Sequence, residues 1–473
     1  MLLVALAVIT GITCGLRAAT YEVGPSQKLA TIGEVPWESL QPGDTVLIHA
    51  RLEPYREKFV ICRAGTEVAP ITVRGVPDAA GNLPVLDGDH ATTRTNMNFW
   101  GDVRGVIKIG GANVPADTMP AHIVLENLDV RGARPPFGFV AANGETKSYK
   151  KNASAIYVEK CEHLIIRNCR LHDSGNGLFV SSNDERASRD LLVEHCKIFD
   201  NGIEKSGLEH NVYTEAIGAV FQYNHFGPLR AGCFGNSLKD RSAGLVVRYN
   251  WFEGGNKTVD IVEAQDSALV RKDSCYRDAF VYGNVLIKQP KDVHSYVVHY
   301  GGDSGIPINY RKGTLWFFNN TVVYLKREPV VVVRLSSDGE RCEFHNNIVY
   351  TISSGKFLNL CESKGTVTAS HNWFKRGWKS SSGKTSSGTM IDAGSNLTGE
   401  EPGFVDFASQ DFHLTASSPC RKAGKHIVTK AVDGTTHQTD DQPDLGAFAF
   451  PRPDSRPNQS SPRAVRSSSS KPR

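Results

Sequence analysis

Between residues 210 and 303, four short apolar runs each carry polar or charged residues at alternate positions: HNVYT (210–214), NSLKD (236–240), TVDIVEA (258–264) and YVVHYGGD (296–303). If Val212, Leu238 and Ile261 point inward, strand alternation puts Asn211, Tyr213, Ser237, Lys239 and Asp260 outward. His210, Arg241, Glu263 and His299 then lie at the edges of one polar strip. Such a strip holds what proton abstraction beside a carboxylate requires. A cation or amide neutralises the carboxylate and acidifies the neighbouring C–H, a base takes the proton, and an acid assists the departing oxygen. Lys239 is the first choice as base, and its pKa should then be lowered. Tyr213 or His299 is the acid or second base. Arg241 and Asn211 would hold the carboxylate, with His210, Asn236 and Arg248 as further substrate contacts. Asp260, Glu263 and Asp266 form a thin acidic cluster suited to Ca²⁺, or Asp260 orients the lysine. Plainer readings compete: Lys239 with Asp260 is also an ordinary ion pair, Tyr213 is also wall packing, and His210 is also a satisfied structural histidine.

What positions this strip is a repeat. Phrases such as IIRNCRL, LVEHCKI, VFQYNHF, VVRYNWF and EFHNNIVY recur along the chain. They centre on Asn127, Asn168, His195, Asn224, Asn250, Asn284, Asn320, Asn347 and Asn372, with most steps between 25 and 29 residues. One such unit cannot bury its own inner face, so units stack and share a core. Strands punctuated by a turn-seeking Asn describe coils of an all-β, single-stranded, right-handed parallel β-helix. Counting back eleven residues from Asn224 and Asn250 reaches Tyr213 and Lys239, which should stack on adjacent coils. The residue after each Asn should point inward, placing Cys169 over Cys196 as buried thiols. LATIGEVPWESLQPGDTVLI predicts an amphipathic cap helix before the first coil, and the segment from EPGFVDF to DLGAFAF should close the other end.

The remaining composition narrows the setting. Residues 1–19 are apolar and end in small residues, as an export signal does, so the protein is expected to be secreted or periplasmic, and no other segment is apolar enough to span a membrane. The tail, residues 451–473, is Ser/Pro/Arg-rich and expected to be disordered, leaving residues 20–450 as the β-helix domain with its caps. That tail holds six of the 54 basic residues and one of the 50 acidic ones, so the body carries 48 against 49. A body without basic excess argues against a nucleic-acid partner. Ten cysteines show neither a CxxC pair nor zinc spacing. GGDSGIP (301–307) has the look of a serine-protease nucleophile loop, but without a matching His motif it is a plain loop.

The PGDTVLI opening, the Asn-punctuated coils and the GFVDF, DFHL, SPC and DLGAF close resemble secreted bacterial right-handed parallel β-helix proteins: pectate lyases, chondroitinase-B-like lyases and alginate lyases. The likeness spans roughly residues 20–450. It implies a monomer acting on an acidic polysaccharide by β-elimination at a uronate. The resemblance also implies a catalytic lysine at Lys239 and an arginine about one coil later. The position one coil on falls near Gln265, which is not basic. The alternatives are a glycan-binding β-helix without catalysis, or a hydrolase or epimerase on the same scaffold.

Overall fold

The computed structural model describes residues 18–448 apart from 363, 383–388 and 432. Most of the expected export segment and the whole tail lie outside the described residues. Three long, almost wholly parallel sheets of thirteen, eleven and fourteen strands wrap one core. Each coil contributes one strand to each sheet in turn, as with Glu162–Arg167, Arg170–His172 and Asn176–Val180. The chain then returns to the first sheet at Arg189–Glu194, in register with the coil before. This is a right-handed parallel β-helix. Alternation supplies its core: Leu164, Ile166, Leu191, Val193, Ala219, Phe221, Leu245 and Val247 point inward and are buried.

Between the first and second sheets runs a ladder of amides. Asn224, Asn250, Asn284, Asn320, Asn347, Asn372 and Asn396 stack, and each Nδ2 donates to the next Oδ1 at 3.0–3.2 Å. The expected column of nine is two columns. Asn127, Asn168 and His195 have left-handed backbone, with φ of 58°, 54° and 54°. They align with Tyr223 and Tyr249, one residue before the ladder. The ladder position in those early coils is Leu128, Cys169 and Cys196, all buried. Trp251, which follows a ladder Asn, faces outward instead and stacks on Phe412. Cys169 and Cys196 do lie one above the other, with the Cys169 N–H 3.5 Å from the Cys196 sulfur, as free thiols.

The ends differ from expectation. The predicted cap helix is one 3-10 turn, Ile32–Glu34, because Pro36 disfavours helical backbone at Val35. Buried Trp37 does the capping, stacked on Phe59 at 4.2 Å. The closing segment folds back rather than ending the stack. Phe412, Leu414, Cys420 and Leu445 cover Val285, Ile287, Val323 and Ile348 on the outer face of the second sheet. No helix among the described residues is long and apolar enough to cross a membrane.

Candidate functional site

The outer face of the third sheet carries the strip. Phe179 pairs with Tyr213, Tyr213 with Lys239, Lys239 with Asp260 and Asp260 with His299. The register deduced from the repeat is therefore the one observed. Around it lies a cleft of about 540 Å³ lined by His210, Tyr213, Asn236, Lys239, Arg241, Lys257, Asp260 and Asp303, among others. A wider cleft of about 790 Å³ near the amino end is lined by Arg51, Glu57 and Arg94. There Arg94 pairs with Glu38 and Glu57 accepts the Gly33 N–H, so the cap takes up much of the charge.

Asp260 is the hub of the strip. It is wholly buried, and its Oδ2 accepts from Asn236 Nδ2 at 2.8 Å and Lys239 Nζ at 3.1 Å. Its Oδ1 meets Lys257 Nζ at 3.0 Å and His299 Nδ1 at 2.6 Å. Burial favours the neutral acid, but Lys239, His299 and Lys257 outweigh it and hold this carboxyl well below the usual range. Burial alone would likewise lower the Lys239 ammonium. Asp260 and Asp303 reverse that and raise it, so Lys239 keeps its proton instead of having the lowered pKa expected of a base.

Asp303 sits across the cleft mouth. Its carboxylate takes Lys239 Nζ at 2.5 Å on one oxygen and Arg241 Nη2 at 3.1 Å on the other. Arg241 Nε donates to Tyr213 Oη at 2.6 Å, and its Nη1 donates to the Glu263 carbonyl at 2.6 Å. Burial raises the Tyr213 phenol, and the pull of Arg241 and Lys239 does not cancel it. His210 accepts the Asn236 N–H on Nδ1 at 2.9 Å, which puts the proton of the neutral ring on Nε2. Burial, with Lys239 adding, pushes this histidine down to about 3.

Several expected residues are elsewhere. Asn211 points into the coil, accepting from Asn201 and donating to the Gly227 carbonyl, because the strand begins only at Val212 and alternation does not reach back. Arg248 is on the first sheet, bonded to Gln222, Tyr282 and Asp433. His299 lies behind Asp260, only 2% exposed, with Nε2 2.8 Å from Ser336 Oγ. It supports Asp260 and does not face the cleft. The three acids are not gathered into one cluster. Asp260 has four partners, buried Glu263 accepts the Asp303 and Ser304 N–H groups at 2.8 Å, and Asp266 is exposed in a loop. Among the described residues no group of three or more His, Cys, Asp or Glu could hold a metal.

Lys257 and Asp303 were missed from the sequence. Lys257 precedes its strand, outside the alternation that found Asp260. Asp303 is the aspartate of GGDSGIP, dismissed as loop; its signal was its place directly after the His299 strand. The buried Arg311, 3.5 Å from buried Asp240 and bonded to the carbonyls of Val262, Ser242 and Tyr276, underlies the site.

No family model matches the sequence, and neither does any curated protein. Among solved structures, pectate lyase Pel9A is similar at 14% identity and a TM-score of 0.50, over 92% of this chain and 98% of that one. An alginate lyase from Paenibacillus sp. str. FPU-7 covers 80% of this chain and 99% of its own at 13% identity and a TM-score of 0.48. A lacto-N-biosidase from Eubacterium ramulus covers 80% and 68% at 13% identity and a TM-score of 0.42. At these identities the likeness is one of fold. It places the chain among parallel β-helix proteins.

Proposed function

We propose that the protein is an exported lyase that cleaves a uronate-containing polysaccharide by β-elimination. One observation carries this reading: Lys239 and Arg241 already grip a carboxylate, that of Asp303, directly beside the Tyr213 hydroxyl. A uronate carboxylate entering the cleft takes that place. Arg241 and Lys239 then neutralise it and lower the pKa of the C5 proton. Tyr213, as phenolate stabilised by the Arg241 Nε–H, removes that proton. The electron pair forms the C4–C5 double bond, the C4–O bond breaks, and the Lys239 ammonium protonates the departing oxygen. Lys239 is thus assigned the acid and Tyr213 the base.

The test is to incubate the protein with pectate, alginate and glycosaminoglycans and follow absorbance of the unsaturated uronate. Because the Tyr213 phenol is raised, activity should climb from pH 7 toward pH 10. Tyr213→Phe and Lys239→Ala should each lose about 100-fold or more. A uronate with an aryl ether at O4, whose phenolate departs without an acid, should restore part of the activity of Lys239→Ala but none of that of Tyr213→Phe. A second reading, glycan binding without cleavage, is favoured by one fact: neither Lys239 nor Tyr213 is shifted toward a base. Binding to a polymer with no unsaturated product on any of them would establish it and end the lyase reading.

A further inference from the structure

The column continues beyond the cleft toward the amino end. Lys108 pairs with Tyr157, Tyr157 with Phe179 and Phe179 with Tyr213. Phe179 and Tyr213 are parallel at 4.8 Å, and Tyr157 lies tilted 5.6 Å from Phe179. Over this aromatic run lies Arg104, from the turn Asp102–Arg104, with its guanidinium carbon 4.6 Å from the Tyr157 ring and 4.9 Å from Phe179. The other cations of the column have acids: Lys108 pairs with Glu159 at 2.7 Å, and Lys239 with Asp260 and Asp303. Arg104 has none. Among the described residues its guanidinium forms no ion pair or hydrogen bond, and its Nε is shielded from water without a partner. Neighbouring Asp102 is engaged by Lys147 at 2.8 Å.

A guanidinium over aromatic rings with its Nε shielded still offers its two terminal amino groups, a pair that matches a carboxylate. We infer that Arg104, seated on Tyr157 and Phe179, is a second uronate-binding subsite for the same chain of sugars. Phe179 and Tyr157 stand two and three coils from Lys239, about 10 and 14 Å at 4.8 Å per coil. A polymer lying along the column reaches both places, whereas a short oligomer seated at Lys239 reaches only one. The inference rests on the proposed placement of an acidic glycan on this face, but not on its being cleaved.

The measurement is calorimetric binding of oligogalacturonates and oligoalginates of two to six residues to the full protein, its Arg104→Gln and Arg104→Lys variants, and Phe179→Leu. With Arg104→Gln, affinity for five- and six-residue oligomers should fall at least about tenfold, the scale of one charge-assisted contact, while that for dimers is unchanged. Arg104→Lys should recover part of the loss, and reducing the oligomer carboxylates to alcohols should remove the difference between Arg104→Gln and the unmodified protein. A thermal melt of each variant separates loss of fold from loss of contact, since misfolding lowers affinity at every length. An Arg104→Gln effect, or lack of one, that is the same at every oligomer length in a variant that melts like the unmodified protein overturns the subsite, even if the protein proves to be a lyase. A length-dependent loss without any unsaturated product keeps the subsite and discards the lyase. If the unmodified protein binds neither oligomer series, the subsite falls, whatever the polymer panel shows.

Discussion

At the scale of single residues, the cleft is defined by what its charges are already doing. Asp303 holds Lys239 and Arg241 where a substrate carboxylate is proposed to sit, so it competes with substrate. Its main-chain N–H is fixed by Glu263, which keeps the side chain close by. Asp303→Asn removes the competing charge without removing the side chain. The expected outcome is a lower KM for a uronate polymer, by roughly three- to tenfold if one exposed charge-assisted contact is lost, with kcat little changed. A raised KM in steady-state assays would show instead that Asp303 helps to bind the sugar. The strip itself was legible in the sequence, because alternation on a strand of three residues fixes which side chains share a face. The pKa of Lys239 was not. It depends on burial and Asp260, and also on Asp303, 64 residues away along the chain and brought in by a loop that no periodicity describes.

At the scale of elements, the ladder is where stability concentrates. Asn284 is wholly buried and has five ladder and backbone partners. It accepts the Asn250 N–H and Nδ2–H at 2.9 and 3.0 Å, and donates to Val247 O, Tyr282 O and Asn320 Oδ1. Asn284→Ala leaves several of these groups unsatisfied in the interior, at a cost of about 2–4 kcal/mol, read as a lower urea midpoint. A loss below about 1 kcal/mol would mean that water fills the gap. The repeat made the fold legible, and the error in it has a simple cause. Asn serves equally at a left-handed turn, as in Asn127 and Asn168, and one residue later as a ladder amide, as in Asn224. Sequence spacing alone cannot separate positions one residue apart. The cap helix failed for a comparable reason: its apolar periodicity was real, but Pro36 cut it to a single turn.

For the whole molecule, pH acts through groups that the fold holds in one protonation state. An unfolded histidine takes up a proton near pH 6.5, whereas His210 in the folded protein refuses it until about 3. Its contribution to stability is therefore present above neutral pH and lost as pH falls through that window, on the order of 3 kcal/mol by pH 4. Glu215 runs the other way. Burial lifts it to about 7 despite N–H groups donated by Gln265, Asp266 and Ser267, so its contribution fades as pH rises from the ordinary carboxylate value. The useful quantity is thus a difference. His210→Gln should flatten the fall in urea midpoint between pH 7 and pH 4 relative to the unmodified protein, while the Glu215 contribution is common to both. Parallel pH profiles for the two proteins would rule His210 out as the source.

The amide ladder also bears on how such a molecule can change size. Every step donates toward the carboxyl-terminal side, from Asn224 to Asn396, so the pattern looks the same after a shift of one coil. Nothing in it counts. Excising one whole coil between two ladder asparagines leaves donors facing acceptors across the new join, whereas excising half a coil breaks the line. Length along the axis, and with it the reach of any face built on the third sheet, is therefore free to vary in whole coils without redesign of the core.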